Sequence, residues 1–160
     1  MRRAADPVRR AGSGGGFALT SPAFTDGGAI PREHSCQGEG VSPELAWSGA
    51  PAGTQSLALI VHDPDAPIAG GFTHWVLYAI PGDTTGIPQG GTAGSSGLNS
   101  TGKPGWVPPC PPSGTHRYVF TLYALPTVTA FATTPTKDQV EALGADALAT
   151  ATLTGTYAKS

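Results

Sequence analysis

Arg117-Tyr118-Val119-Phe120-Thr121-Leu122-Tyr123-Ala124-Leu125 is the stretch that decides how this 160-residue chain folds. Alternate residues of an extended chain project to opposite sides, so Tyr118, Phe120, Leu122 and Ala124 share one face while Arg117, Val119, Thr121 and Tyr123 share the other. Both faces are partly apolar. That pattern predicts an inner strand of a two-layer sheet rather than an edge with one wet face. Four further short runs are rich in β-branched and aromatic residues: Phe17 to Thr20, Ser56 to His62, Thr73 to Ile80 and Ala151 to Tyr157. The 16 prolines and nearly all of the 23 glycines lie outside these runs and punctuate them as turns. The reading is a mostly β domain of short antiparallel strands.

One stretch reads as helix. Thr136 is a suitable N-cap, Lys137 to Leu143 carries apolar residues at Val140 and Leu143, and Gly144 ends or kinks it, with Ala145 to Ala149 leading into the final strand. Between Pro81 and Pro112 lies a Gly, Pro, Ser and Thr-rich segment with almost no apolar periodicity. Loops of that length tend to be functional. Residues 1–16 carry arginines and end in glycines without a continuous apolar stretch, so they fail the secretory-signal pattern and read as a disordered arm, or a misplaced start, before a domain over 17–160. A cytoplasmic location is the default that follows.

At this size about 70% of the unfolded surface can be buried, enough for one ordinary core without disulfides. Charged residues are 12% of the chain and the net charge is -2, which gives no broad basic face for a nucleic-acid backbone. No apolar run, Leu57 to Val61 among them, approaches the roughly 20 residues of a spanning helix. No amphipathic basic helix argues for stable membrane attachment. Cys36 and Cys110 are too few for a disulfide scaffold or a four-ligand zinc site, and a cytoplasmic setting favours free thiols, although the pair can join if the fold brings it together.

Three motifs could carry chemistry. Asp63-Pro64-Asp65-Ala66-Pro67 follows a strand directly, and its prolines would hold two carboxylates on a stiff turn, although Asp-Pro-Asp is also common turn chemistry. In Thr73-His74-Trp75-Val76, the histidine sits near the start of a strand with Trp75 expected on the opposite face; a lone histidine there can equally be satisfied by a backbone carbonyl. The third runs from Pro108 to Tyr118 as Pro-Pro-Cys-Pro-Pro-Ser-Gly-Thr-His-Arg-Tyr. It delivers His116 and Tyr118 to one face and Arg117 to the other, where a scaffold carboxylate is the expected partner. A polyproline linker is the plainer reading of the prolines.

In this order and spacing the three motifs resemble the signature of the phosphatidylethanolamine-binding protein family, in its bacterial Raf-kinase-inhibitor-like branch. Support comes from Ser35-Cys36-Gln37-Gly38, from Ser42-Pro43-Glu44-Leu45-Ala46-Trp47 and from the terminal Leu153-Thr154-Gly155-Thr156-Tyr157, so the resemblance spans Phe17 to Tyr157. It implies an antiparallel Greek-key β-sandwich with few peripheral helices. It further implies an anion pocket built from Asp63, Pro67, His74, His116 and Tyr118, with no cofactor and no catalysis. Imidazole N–H groups and a phenol hydroxyl can donate to phosphate oxygens, while the carboxylate fixes a histidine tautomer. Phe72 could wall the pocket. Pro109 stands where the family usually has glycine and removes one backbone N–H and the φ freedom of glycine, which lowers affinity if that amide normally meets the ligand.

The expected function is therefore binding of a small phosphate-containing anion or phospholipid head group, with regulation or inhibition of a protein partner through the pocket. The alternatives are a small hydrolase using Asp63, His74 and His116, for which no Gly-x-Ser-x-Gly or His-Glu-x-x-His motif is present, and an inhibitor of a kinase or protease acting without ligand. A metal shell from His62, Asp63, Asp65, His74 and His116 is disfavoured because His62 and Asp63, being adjacent, face opposite ways on a strand. Relatives in this branch suggest a homodimer.

Overall fold

The computed structural model describes residues 16–159; the expected arm over 1–16 lies, Gly16 apart, outside them. Eight strands form two antiparallel sheets. In chain order they are β1 (Ala18–Thr20), β2 (Leu45–Ser48), β3 (Ser56–Asp63), β4 (Phe72–Pro81), β5 (Gly86–Ile87), β6 (Ser95–Ser96), β7 (Thr115–Leu125) and β8 (Ala149–Ala158). The small sheet has the order β1-β2-β5 and the large one β6-β4-β3-β7-β8. The described chain is thus a mostly β sandwich with helical structure packed on the outer face of the large sheet. Among the described residues no helix is long and apolar enough to cross a membrane.

β7 is the inner strand that its alternation predicts, paired with β3 on one side and β8 on the other. Tyr118, Phe120, Leu122 and Ala124 are at most 1% exposed and face the core between the sheets, joined by Leu57, Leu59 and Val61 of β3 and by Trp47 from the small sheet. The outer face is covered where Val140 of α1 (Lys137–Glu141) meets Ala58, Ile60, Val76 and Leu125. Thr136 caps α1 as expected. Its hydroxyl accepts from the Gln139 amide, and the Gln139 side chain accepts in return from the Thr136 amide. The helix is shorter than the sequence pattern suggests, because the backbone tightens to a 3-10 turn over Ala142–Asp146 before the strand begins. Gly144 lies against the Tyr123 ring there, and a Cβ would come within 2.5 Å of that ring.

The Pro81 to Pro112 segment is built, not loose. It contributes β5 and β6, and Asn99 organises its far half by accepting from the Thr101 amide and hydroxyl and donating to the Gly105 carbonyl. Backbone bonds then join it to β4 at Thr73 and His74.

Candidate functional site

The inner-face rows of the large sheet change chemistry at one end. On β3 the row Leu57, Leu59, Val61 continues to Asp63, and on β7 the row Leu122, Phe120, Tyr118 continues to His116. Apolar side chains that fill the sandwich thus give way, at its mouth, to a carboxylate and an imidazole that are 3% and 6% exposed. His74 arrives differently. Val61 pairs with Trp75 but His62 pairs with Thr73, so His74 is the extra residue of a β-bulge. The bulge turns it toward the same side as Trp75, and its ring meets Tyr118 edge-on at 5.2 Å. The strict alternation that would put His74 and Trp75 on opposite faces therefore fails at this point.

Each polar group is fixed by a partner. His116 Nδ1 donates to Asp63 Oδ2 at 2.7 Å, and Asp63 Oδ1 accepts the Asp65 amide at 2.8 Å. The turn prolines set the backbone while this second bond sets the carboxylate plane. His74 Nδ1 donates to the Val107 carbonyl at 2.7 Å, and the Val107 amide donates to the His74 carbonyl. A carbonyl can only accept, so the proton of neutral His74 sits on Nδ1. In both rings Nε2 is left, among the described residues, as the nitrogen without a protein partner. Desolvation holds His74 below the ordinary histidine range, against the opposing pull of the Val107 carbonyl and Asp63. Burial, followed by the Asp63 charge, pushes the Tyr118 phenol up, so its hydroxyl keeps its proton. Tyr118 Oη is buried and, among the described residues, has no hydrogen-bond partner.

These groups line one cavity of ≈ 200 Å³. Asp63, Pro67, His74, His116 and Tyr118, the five residues singled out from sequence, all belong to it. Ala66, Ile68, Phe72, Val107, Pro108, Cys110, Pro111 and Pro112 complete the wall. Phe72 does wall the cavity, packing edge-on against His74 at 4.8 Å. Pro109 does not line it. Pro109 is buried behind the wall and its carbonyl accepts from the Cys36 amide at 3.0 Å. Arg117 points outward, as expected, and clamps Asp65 with Nε and Nη2 at 3.0 and 2.8 Å. The Arg117 side-chain and amide bonds hold the Asp65 carboxyl down at about 2. His62 lies on the other face of β3, with Nε2 2.8 Å from the Gly70 carbonyl and Nδ1 2.9 Å from the Thr73 hydroxyl. Among the described residues no group of three or more His, Cys, Asp and Glu side chains is placed to hold a metal ion.

The cysteines correct the sequence reading. Cys36 and Cys110, separated by 74 positions, are disulfide-bonded, not free. The loop that carries Cys36 folds under the proline-rich wall, tied there by the Cys36 amide and by Trp106 Nε1 donating to the Gly40 carbonyl at 3.1 Å. Ser35 and Gln37 on either side bond the Tyr157 hydroxyl, which joins the Ser35-Cys36-Gln37-Gly38 motif to the C-terminal one. Sequence reasoning missed Val107, whose part is played by its backbone, and Asn99, whose signal is a side chain able to bridge a loop with no periodicity.

The pattern of the phosphatidylethanolamine-binding protein family matches residues 20–158. This chain belongs to that family. A UPF0098 protein of Methanothermobacter thermautotrophicus is 46% identical over 147 residues, covering 87% of this chain and 97% of that protein. A phosphatidylethanolamine-binding protein homologue from Chlamydia trachomatis superposes with a TM-score of 0.86 at 41% identity, covering 91% of this chain and 99% of the other. YbcL of E. coli, described as a member of the mammalian PEBP family, superposes with a TM-score of 0.82 at 34% identity, covering 90% and 99%. The family's β-sandwich expected from the motifs is the fold observed.

Proposed function

We propose that this protein binds a small oxyanion, a phosphate ester or a phospholipid head group, at the mouth of the sandwich and does not transform it. The observation that carries this reading is the convergence of His116 Nε2, His74 Nε2 and the unpartnered Tyr118 hydroxyl on one cavity, each ring fixed from behind by Asp63 or the Val107 carbonyl. The Tyr118 hydroxyl donates as it stands, and each Nε2 donates once its ring carries a second proton; groups already held in place cost little to order when a ligand arrives. Binding is favoured over hydrolysis because, among the described residues, no serine or threonine lines the cavity and Cys110 is held as a disulfide, so no aliphatic hydroxyl or free thiol stands beside the Asp63–His116 pair.

Regulation of a partner protein through the pocket, and a homodimeric assembly, belong to the same proposal; fold likeness names no partner. The disulfide supports an oxidising compartment in place of the cytoplasm expected from sequence. In the same direction, 112 residues of the chain are 48% identical to a Mycobacterium tuberculosis protein whose name describes it as a candidate lipoprotein. The test is calorimetric titration with phosphorylethanolamine beside His116→Ala. Saturable binding in the wild type, lost in the variant with its fold intact, is the expected result; flat titrations in both would sink the proposal.

A further inference from the structure

A second hollow opens beside the segment that walls the cavity. Val107 lines the cavity, whereas Gly105 and Trp106 just before it line an open groove of ≈ 380 Å³ that shares no lining residue with the cavity. Three loops, over residues 40–42, 90–92 and 105–106, form much of the groove, and each is pinned. The Trp106 indole N–H donates to the Gly40 carbonyl at 3.1 Å, the Gly90 amide to the Ser42 carbonyl at 3.0 Å, and the Asn99 side chain to the Gly105 carbonyl at 2.9 Å. Aromatic surface comes from Trp106, half-buried, which meets Trp75 edge-on with ring centroids 5.5 Å apart.

Two polar groups in this groove lack partners within the fold. Trp75 is 2% exposed and Ser42 is 4% exposed. Among the described residues neither the Trp75 indole N–H nor the Ser42 hydroxyl has a hydrogen-bond partner, whereas the indole N–H of Trp47 is held by the Thr84 carbonyl at 2.7 Å and that of Trp106 by Gly40. A tryptophan N–H this deep in a protein ordinarily finds an acceptor. Both side chains border the groove, so whatever fills the groove satisfies both.

The lining also restricts the chemistry of the occupant. Among the described residues that form it there is no Asp, Glu, Lys, Arg or His. A charged ligand would leave water and meet no counter-charge. A hydrocarbon would strand the Trp75 and Ser42 groups together with the hydroxyls of Thr92 and Ser96. A neutral ring with hydroxyls around its edge and C–H bonds on its faces meets every requirement. Its hydroxyls accept from the indole N–H and trade donor and acceptor roles with Ser42, and its C–H face lies against the electron-rich face of an indole. We propose that this groove is a binding site for a neutral saccharide, separate from the cavity at the mouth of the sandwich and resting on none of its residues. The volume falls in the range of small-molecule sites.

The test is NMR of the isotope-labelled full chain, whose three tryptophans give three indole N–H signals. D-glucose, D-galactose, D-mannose and N-acetyl-D-glucosamine are titrated separately. With at least one of them the Trp75 signal should move saturably with a midpoint on the order of 1 mM, while the Trp47 signal, fixed to Thr84, stays still. Ser42→Ala removes a hydroxyl that the fold does not use, so the midpoint should rise about fivefold with thermal unfolding unchanged. The uronate and 2-amino counterparts of the sugar that binds should be at least about tenfold weaker.

No saturable movement of the Trp75 signal with any of the four sugars up to about 50 mM would overturn the proposal. A charged counterpart binding as tightly as its parent would remove the charge argument and the assignment with it. Cyclohexanol binding as tightly as the sugar would make the groove merely apolar, and uracil binding more tightly would replace the saccharide by a planar base. These comparisons are all made in the wild type, so they decide the matter even if Ser42→Ala proves unstable.

Discussion

Replacing Cys36 and Cys110 by serine, singly and together, removes the one covalent tie between the proline-rich wall of the cavity and the loop beneath it. The bridge closes a loop of 74 positions, and in the chain-entropy picture a loop of that length withholds about 4 kcal/mol of freedom from the unfolded chain at 25 °C. Unfolding entropy of about 2.1 cal/mol/K per residue gives about 0.3 kcal/mol/K for a domain of this size, so the midpoint should fall by about 13 °C. The effect should also be local. Pro108, Pro109, Pro111 and Pro112 have no N–H to offer, so a single bond from the Cys36 amide to the Pro109 carbonyl is what holds the middle of the wall once the sulfurs are parted. Thermal scans of the oxidised protein, the protein after mild reduction and the double variant measure the first effect. Hydrogen exchange at the residue-36 amide, the donor to the Pro109 carbonyl, measures the second. A midpoint shift below about 2 °C, with free thiols verified, together with unchanged exchange, would refute the reasoning.

Other consequences can be measured independently. Tyr118→Phe deletes a buried hydroxyl that has no protein partner, so stability should stay within about 0.5 kcal/mol or rise, while oxyanion affinity drops by about 1 kcal/mol, roughly fivefold; paired denaturation and titration check both. The Asp65 carboxyl should titrate at about 2 by NMR and return toward its ordinary 3.8 in Arg117→Ala. Because the folded value is depressed, the Asp65–Arg117 pair helps stability above pH 4 and loses that contribution as pH falls toward 2, so the acid limb of a stability profile should be flatter in Asp65→Asn. Gly155→Ala puts a methyl group 2.6 Å from Ile30 Cγ1 and 2.7 Å from Phe24 Cε2 inside the core, and should cost about 1–3 kcal/mol in urea unfolding.

How far the sequence could be read depended on whether the information was local. β7 was legible because eleven residues alternate in register with two neighbours, so pattern and burial agree. Thr136 and Gln139 announced their helix start through a short-range capping box. β2, β5 and β6 are two to four residues long, too short for a period to show, and they exist because longer strands offer them an edge. The site divides along the same line. His116 and Tyr118 share a face by parity alone, and Asp63 follows a strand whose inner row points at them. His74 escaped parity because a bulge is a property of two strands together, visible only when Val61 and His62 are paired with Trp75 and Thr73. The disulfide escaped for a similar reason. No local pattern in either cysteine's neighbours encodes an approach to 5.4 Å between Cα atoms 74 positions apart.

The two imidazoles are the heart of the proposed site, and NMR of their ring nitrogens reports on them directly. In the free protein the neutral His116 and His74 rings should each carry the proton on Nδ1, bonded to Asp63 and to the Val107 carbonyl. On titration with phosphorylethanolamine, the Nε2 resonances of both rings should move together and saturably while the Nδ1 bonds persist, and His62, fixed between Gly70 and Thr73, should stay still. Nε2 resonances of His116 and His74 that remain unmoved at a ligand concentration where binding is seen by calorimetry would put the ligand elsewhere and contradict the assignment of this cavity.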